Sequence, residues 1–458
     1  METHEMIEKV AGFEDIQDVV AMVPAMRKLP VVEVGEILGT LDETWLPGIL
    51  EKFTPEQQGL IVSEFPVEKQ IVLFQSVSKK RFAPVFINMP SELRADLFQK
   101  LTRQEQIAIL PFLPKVVRED VIHLASYPPE TAGGIMSTDF ATVQRDMTCA
   151  EALDKVRSDN PSNKTIYYIY VVDDDQLLQG FITLKDLVIA TPETPVPTIL
   201  HDEFAFAYAG EDREEVAKKI EKYDLVAIPV VNKQNQLVGI VTHDEAIEII
   251  RAEHTEDLEK FMGMVPAKEV MNYERTTVWR HFRKRVVWTS SLAVVGLISG
   301  IIIHSYEEAL SSLIILALYM PMLADTGGNT GSQAATVIVR ALALGQVSLK
   351  NWFAILFKEA RISILMAAAL GLIAFGKILF LSWETDVPEG YTLLFLATGI
   401  SLALSIQVVS STIIGAGLPM LVKRLGGDPA VAASPAITTV VDITGLLIYF
   451  GMATMLFF

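Results

Sequence analysis

The 458-residue chain has a single cysteine, Cys149. One thiol makes no internal disulfide and no cysteine-based zinc site. Basic residues are also short: 38 Lys and Arg against 56 Asp and Glu leave a net charge of −18. A field this acidic repels a phosphate backbone, which excludes nucleic acid as a partner, and it attracts divalent cations. The opening METHEMIEKVAGFEDIQ has no apolar core, so no signal peptide is expected there. Neither a GxxxxGK[ST] phosphate loop nor a DKTG string occurs, so an ATP-driven pump is excluded and no enzyme activity is expected.

Charge and apolarity are unevenly shared along the chain. Residues 280–458 hold 11 Lys/Arg and 9 Asp/Glu, which leaves 27 and 47 for residues 1–279, a net of −20. The long apolar runs lie in the second part. The reading is an acidic, water-soluble block joined to a membrane domain.

The soluble block has two textures. Phe53, Phe65, Val77, Met89, Leu101 and Leu113 recur every 12 residues, each followed by a helix-start residue: Thr54, Pro66, Ser78, Pro90, Thr102 and Pro114. Ser and Thr cap free helix amides and Pro suits the first turn, so each repeat predicts one short helix and a tight corner. Such helices cannot bury their apolar stripes alone and must stack, which makes residues 1–125 a superhelical helical domain.

Residues 126–250 contain strand-like runs. Val171-Val172-Asp173 matches Val230-Val231-Asn232, and Gly180-Phe181-Ile182-Thr183 matches Gly239-Ile240-Val241-Thr242, at one constant offset. Two tandem copies of a small α/β unit follow, and the pattern resembles a pair of cystathionine-β-synthase-type (CBS) modules. Residues 251–284 read as a charged helical connector, ending in the basic cluster Arg280, Arg283, Lys284 and Arg285.

Apolar segments then run at about 286–303, 309–340, 353–381, 391–420 and 432–458, against the roughly 20 residues that a bilayer core requires. Residues 285–458 thus predict five membrane helices. Arg280–Arg285, Arg340 with Lys350, and Lys423 with Arg424 fall on one side if all five cross, and the acidic loop at Trp383-Glu384 falls on the other. Lysine and arginine favour the cytoplasmic side, so the N-terminus is expected in the cytoplasm and the C-terminus outside a plasma membrane.

Asp442 lies well inside the fifth segment with no basic residue there to pair with it. A carboxylate in hydrocarbon must face a partner or a water-filled path. Thr438 shares its helical face, and Ser434 with Pro435 marks a loosened helix start. In the second segment Asp325, Asn329 and Ser332 interrupt the apolar run, with Gly327, Gly328 and Gly331 among them. Small residues there allow close helix contact or a break that exposes carbonyls. Oxygen and amide groups without thiolate or imidazole favour hard cations such as Mg²⁺. One carboxylate per chain is a poor cage, and two copies around one wet pore suit a hydrated ion better.

The second-segment string PMLADTGGNTGSQAATVIVRALALG and the string LGGDPAVAASPAITTVVDITGLLIYF closely resemble the signatures of MgtE magnesium channels. The order of helical N domain, CBS pair, connector and five membrane helices matches that family over essentially the whole chain. The resemblance implies a homodimeric, Mg²⁺-selective uptake channel gated by intracellular Mg²⁺ on its acidic domains. It implies that Asp442 is the pore carboxylate and that Ser332, Ser434 and Thr438 line the inner mouth, where some relatives carry Asn in place of Ser332 and Ser434. Asn329 and Asp325 are pore candidates beside them. Asp257, Glu253, Glu256 and Glu269 are candidate sensor carboxylates of the connector, Asp428 of the DPA string meets it through an ion, and Asp96 and Asp120 are N-domain partners. Thr183 and Asp186 resemble the ribose-reading T-x-x-D of CBS modules, which adds ATP as a ligand. A secondary transporter that exchanges divalent cations for H⁺ or Na⁺ is the alternative reading.

Overall fold

A computed structural model describes residues 3–13, 15–159, 166–266, 273, 276–385, 387–432 and 434–458. The chain divides into two units, residues 1–251 and 252–458.

In the first unit the 12-residue period becomes a stack of short helices. Pro55–Ser63, Val67–Ser76, Lys79–Ile87, Ser91–Lys100, Arg103–Ile109 and Lys115–Leu124 follow one another. Each of the six helix-start residues is the N-cap of its helix. Thr54 and Thr102 form full capping boxes with Gln57 and Glu105, which satisfies two free amides at each start. Prolines 66, 90 and 114 sit at the N-cap itself, one place earlier than the first helical position expected of them. Phe53, Phe65, Phe74, Phe82 and Phe86 are buried in one continuous core.

The α/β units follow the repeat closely. β1 (Ala141–Gln144), β2 (Tyr168–Val172) and β3 (Leu178–Thr183) form one sheet in that order. β4 (Ala207–Tyr208), β5 (Ala227–Val231) and β6 (Leu237–Thr242) form the other. In each, the first pair is parallel and the second antiparallel, with a bulge at Val171/Val172 and at Val230/Val231. The hairpin tips match too. Asp173 Oδ1 accepts from the amides of Asp175 and Leu177, and Asn232 Oδ1 from those of Gln234 and Gln236. Gln176 and Asn235 both take positive φ. The repeat in sequence is thus a repeat in hydrogen bonding. The last helix, α1 (His243–Phe261), leaves β6 and runs into the second unit.

The connector is helical over a shorter stretch than expected. α1 ends at Phe261, because Gly263 takes φ +68° and closes a Schellman cap. Gly263 N donates to Lys260 O at 3.0 Å and Met264 N to Glu259 O at 2.8 Å.

Beyond it lie α2 (Val278–Val295, continued by Leu297–Ser305), α3 (Ile314–Ala343), α4 (Trp352–Leu381), α5 (Leu393–Arg424) and α6 (Ser434–Phe457). Among the described residues four stretches are long and apolar enough to cross a membrane: Val278–Ser305, Leu349–Leu381, Leu393–Arg424 and Ser434–Phe457. α3 has 30 residues, length enough to cross, but its polar string lowers its apolarity below that of the others. Its glycines do not break it: α3 is continuous through residues 325–333. Instead they bring helices together. A Cβ on Gly415 of α5 would strike the backbone oxygen of Gly331 of α3, and one turn away Thr330 and Ser411 share a hydroxyl hydrogen bond of 2.6 Å. Lipid supplies no hydrophobic drive between helices, so such close contacts hold the bundle. Gly415→Ala is expected to lower the unfolding temperature of the detergent-solubilised protein by several degrees, a penalty of about 1–3 kcal/mol. Gly417→Ala, whose Cβ would meet only Leu356 at 3.8 Å, is expected to be neutral. Equal thermal melts for the two variants would contradict this packing account.

Candidate ion path and cation-responsive clusters

α6 begins at Ser434, and its first turns place a row of hydroxyls against α3. Ser434 Oγ donates to Ser332 Oγ at 3.0 Å, and Ser332 Oγ lies 3.4 Å from Thr438 Oγ1. Thr438 also donates to Ser434 O at 3.0 Å, tightening the helix start. One turn further along stands Asp442, half-buried, with Oδ1 buried and unpartnered among the described residues. Asp442, Thr438, Ser434 and Ser332 are therefore brought together. Asp325 and Asn329 project from the same helix as Ser332, but on its exposed side, continued by Gln333 and Thr336. A carboxylate, an amide and hydroxyls thus line one open strip of an otherwise apolar bundle.

The Ser434 end of that strip meets the connector. Phe261, the last residue of α1, packs with Ala335, Ile437 and Val441, and Val441 directly precedes Asp442. Asp428 caps the short turn Pro429–Val431 by accepting from Ala430 N. Its other oxygen accepts from Lys260 Nζ at 2.7 Å. Lys260 also pairs with Glu256 at 2.7 Å, and Lys284 of α2 pairs with Glu259. Partial burial works against the charge of Lys260, but hydrogen bonds and charges from Asp428 and Glu256 outweigh it and lift its pKa well above the ordinary lysine value. Asp428 is expected to meet the connector through an ion; in the structure Lys260 of the connector contacts it directly. Glu253 and Asp257 lie half-buried on the same helix. Glu269 falls outside the described residues.

The N-domain candidates part ways. Asp120 accepts from Arg94 Nη2 and from Thr138 Oγ1, both at 2.7 Å. Arg94 is itself buried, so this carboxylate neutralises a buried charge. Asp96 instead belongs to an acidic cluster with Glu92, Asp244, Glu245 and Glu248, of which only Asp96 stood out in the sequence. Burial, with Glu92, Glu248, Asp96 and Asp244 around it, pushes Glu245 up to about 8. Burial and Glu92 push Asp96 up to about 6, against Lys100 and Arg213. Water reaches one side of Asp96, so screening tempers the repulsion there. Among the described residues no three ligating side chains come close enough to hold a metal ion. The cluster is a strained patch of charge rather than a finished cage.

That strain has a sign. Between the ordinary glutamate value of 4.5 and about 8, the folded state keeps a proton on Glu245 that the unfolded chain has lost. Stability therefore falls as pH rises through this window. Glu245→Gln is expected to raise the unfolding temperature of the full-length protein at pH 8.5 by about 2–5 °C and to change little at pH 4.5. It should also shrink the stabilisation that added Mg²⁺ gives. Parallel melts with and without Mg²⁺ at the two pH values test this, and an unstabilised variant at pH 8.5 would refute it.

Thr183 and Asp186 are paired, but with each other. They form the capping box of the short helix Leu184–Ile189, and Asp186 Oδ2 also meets His201 Nε2 at 3.0 Å. His201 stacks on Phe181, one wall of a cavity of about 420 Å³ that Tyr168, Tyr170, Phe204 and Pro229 also line.

Family models match three stretches of the chain. One described as the MgtE intracellular N domain covers residues 29–130, the CBS domain covers 132–193 and 196–252, and one described as a divalent cation transporter covers 320–452. The magnesium transporter MgtE of Thermus thermophilus is 33% identical over 458 residues, spanning 94% of this chain and 99% of its own length. That of Bacillus subtilis is 33% identical over 394 residues, spanning 86% and 84%. The crystal structure of the soluble part of a magnesium transporter is 26% identical, covers 55% of this chain and 99% of that chain, and superposes with a TM-score of 0.50.

Proposed function

Because the chain belongs to the MgtE family of magnesium transporters, we propose that it works as a homodimeric, Mg²⁺-selective channel of the plasma membrane, closed by intracellular Mg²⁺. The observation that carries this reading is the polar strip of α3 and α6. In one copy Asp325, Asn329, Gln333 and Thr336 are exposed beside the Ser332–Ser434–Thr438 row and Asp442. Hydrocarbon would leave these groups unsatisfied. A second copy laid against the strip would enclose them as a wet conduit with two carboxylates. Mg²⁺ gives up its waters reluctantly and suits a path that holds it through them. No residue of α2 is buried in the single chain, which leaves that helix free to pack on a partner.

Closure would act through α1. Phe261 stands at the inner foot of the strip, and the Lys260–Asp428 and Lys284–Glu259 pairs hold it there. The acidic soluble block supplies the response: cations relieve the repulsion among Glu92, Asp96, Glu245 and Glu248, and scarcity restores it. With five crossings, α3 included, the soluble block lies in the cytoplasm and the C-terminus outside. The domain limits 1–125, 126–250, 251–284 and 285–458 fit this division of labour. The aromatic cavity between the CBS sheets favours a second ligand with a flat ring, and ATP is the reading it supports. Binding there would require Asp186 to exchange its His201 contact for a ribose.

Purified protein in planar bilayers and liposomes separates channel from exchanger. Single-channel Mg²⁺ currents that fall as Mg²⁺ rises on the soluble-domain side are expected. Electrically silent uptake that needs an opposing H⁺ or Na⁺ gradient would establish the exchanger instead.

A further inference from the structure

Among the described residues the bundle contains one wholly buried side-chain amide. Gln407, midway along α5, is completely enclosed. Its Nε2 donates to Val441 O at 2.9 Å, at the residue before Asp442. Its Oε1 is buried with no hydrogen-bond partner among the described residues. Leaving such an atom unmatched is destabilising, so an apolar side chain of equal size would make the steadier packing. The seat is nevertheless shaped around the amide. A Cβ on Gly327 of α3 would come 2.5 Å from Nε2, and a Cβ on Gly445 of α6 would strike the same group. Three helices therefore meet on this side chain, two of them through a missing Cβ.

We propose that Gln407 is a positioning residue that sets the height and rotation of α6 and thereby aims Asp442 into the ion path. A carbonyl oxygen has two lone pairs, and the helix ladder uses one of them at Val441. The amide and the Thr444 hydroxyl, at 2.9 and 3.0 Å, share the second, and of these two the amide alone comes from another helix, so it pins α6 at a single residue. Apolar helix faces in lipid slide and turn with little penalty, whereas a hydrogen bond to one backbone oxygen has one register. A slip of one residue would rotate Asp442 by about 100° and carry it off the strip. Gln407 touches no ion in this account. It acts through Val441.

The inference rests on Asp442 as the pore carboxylate, so the two are tested side by side. Gln407→Met keeps the length and removes both polar atoms. Full-length protein in liposomes is loaded with a Mg²⁺ or Ca²⁺ indicator, and the ratio of the two uptake rates is measured. Gln407→Met is expected to reduce the preference for Mg²⁺ about tenfold while its unfolding temperature stays at or above that of the parent. Gly445→Ala, which intrudes on the amide, should lower the preference as well. In Gln407→Ala with Gly445→Ala space is restored without an amide, and the preference should stay low. Should Gln407→Met fail to fold, Gln407→Asn carries the same expectation, since its amide is one methylene too short to reach Val441. Parental preference in folded Gln407→Met, or its return in the double variant, overturns the inference. Asp442→Asn separates the two ideas: loss of flux there with unaltered Gln407→Met defeats only the positioning role, and full flux in Asp442→Asn defeats the pore reading itself.

Discussion

Asp442→Ala is expected to abolish Mg²⁺-supported growth of an uptake-deficient bacterium and to lower Mg²⁺ flux in liposomes at least a hundredfold. The carboxylate has no basic partner in its helix, and its Oδ1 is buried without a hydrogen bond. At an effective dielectric of about 20, a unit charge 4 Å away is worth about 4 kcal/mol, and a dication feels twice that. Two copies facing one path double the count again, and each 1.4 kcal/mol is a factor of ten. The waters that the ion keeps lengthen the separation and screen the charges, which offsets most of this sum, so a hundredfold is a conservative expectation. Asp442→Asn keeps shape and hydrogen bonding but not charge, and should resemble the alanine variant in flux. Wild-type growth in either variant, with the protein present in the membrane at normal levels, would remove Asp442 from the ion path.

Lys260→Met carries the second large effect. Lys260 holds Glu256 and Asp428 at 2.7 Å each, and without it two carboxylates face each other. An exposed ion pair contributes little, but this one is largely shielded and three-membered, and removing its centre leaves a repulsion as well as a lost attraction. Phe261 is the next residue and packs on Ile437 and Val441, so loosening the pair loosens the foot of the strip. If the proposed Mg²⁺-closed channel holds, the half-closing Mg²⁺ concentration is expected to rise about tenfold, read from open probability against Mg²⁺ on the soluble-domain side. Lys260→Met combined with Asp428→Asn removes the repulsion and should fall between the two. An unaltered or lower half-closing concentration in Lys260→Met would discard the lysine as a latch.

Much of the candidate site was legible because its signals are rare. A carboxylate among Val, Ile and Leu stands out in any membrane segment, and the hydroxyls at Ser434 and Thr438 share its helical face by spacing alone. Ser332 joins them in the structure, as the second-segment string suggested. Gln407 is not legible in the sequence, since one amide in a 32-residue apolar helix has no periodic signature. Glu245 was equally hidden: an acidic residue in an acidic block looks like solvated surface until its neighbours are known. Asp120 shows the converse, a carboxylate of the right kind whose charge is spoken for by Arg94.

The order of helical stack, paired α/β units and membrane bundle was set by the sequence alone, because periods of 12, 59 and 3.6 residues and the split of charge are properties of near neighbours and of tandem copies. The caps at Thr54 and Thr102 and the matched hairpins at Asp173 and Asn232 follow from that local chemistry. Which charges neutralise each other was decided by tertiary packing. Gln407 reaches Val441 across 34 residues, Ser434 reaches Ser332 across 102 and Lys260 reaches Asp428 across 168. Contacts of that range depend on how whole helices dock, and docking is governed by side-chain volume at a few positions such as Gly327, Gly415 and Gly445, where the decisive feature is an atom that is missing.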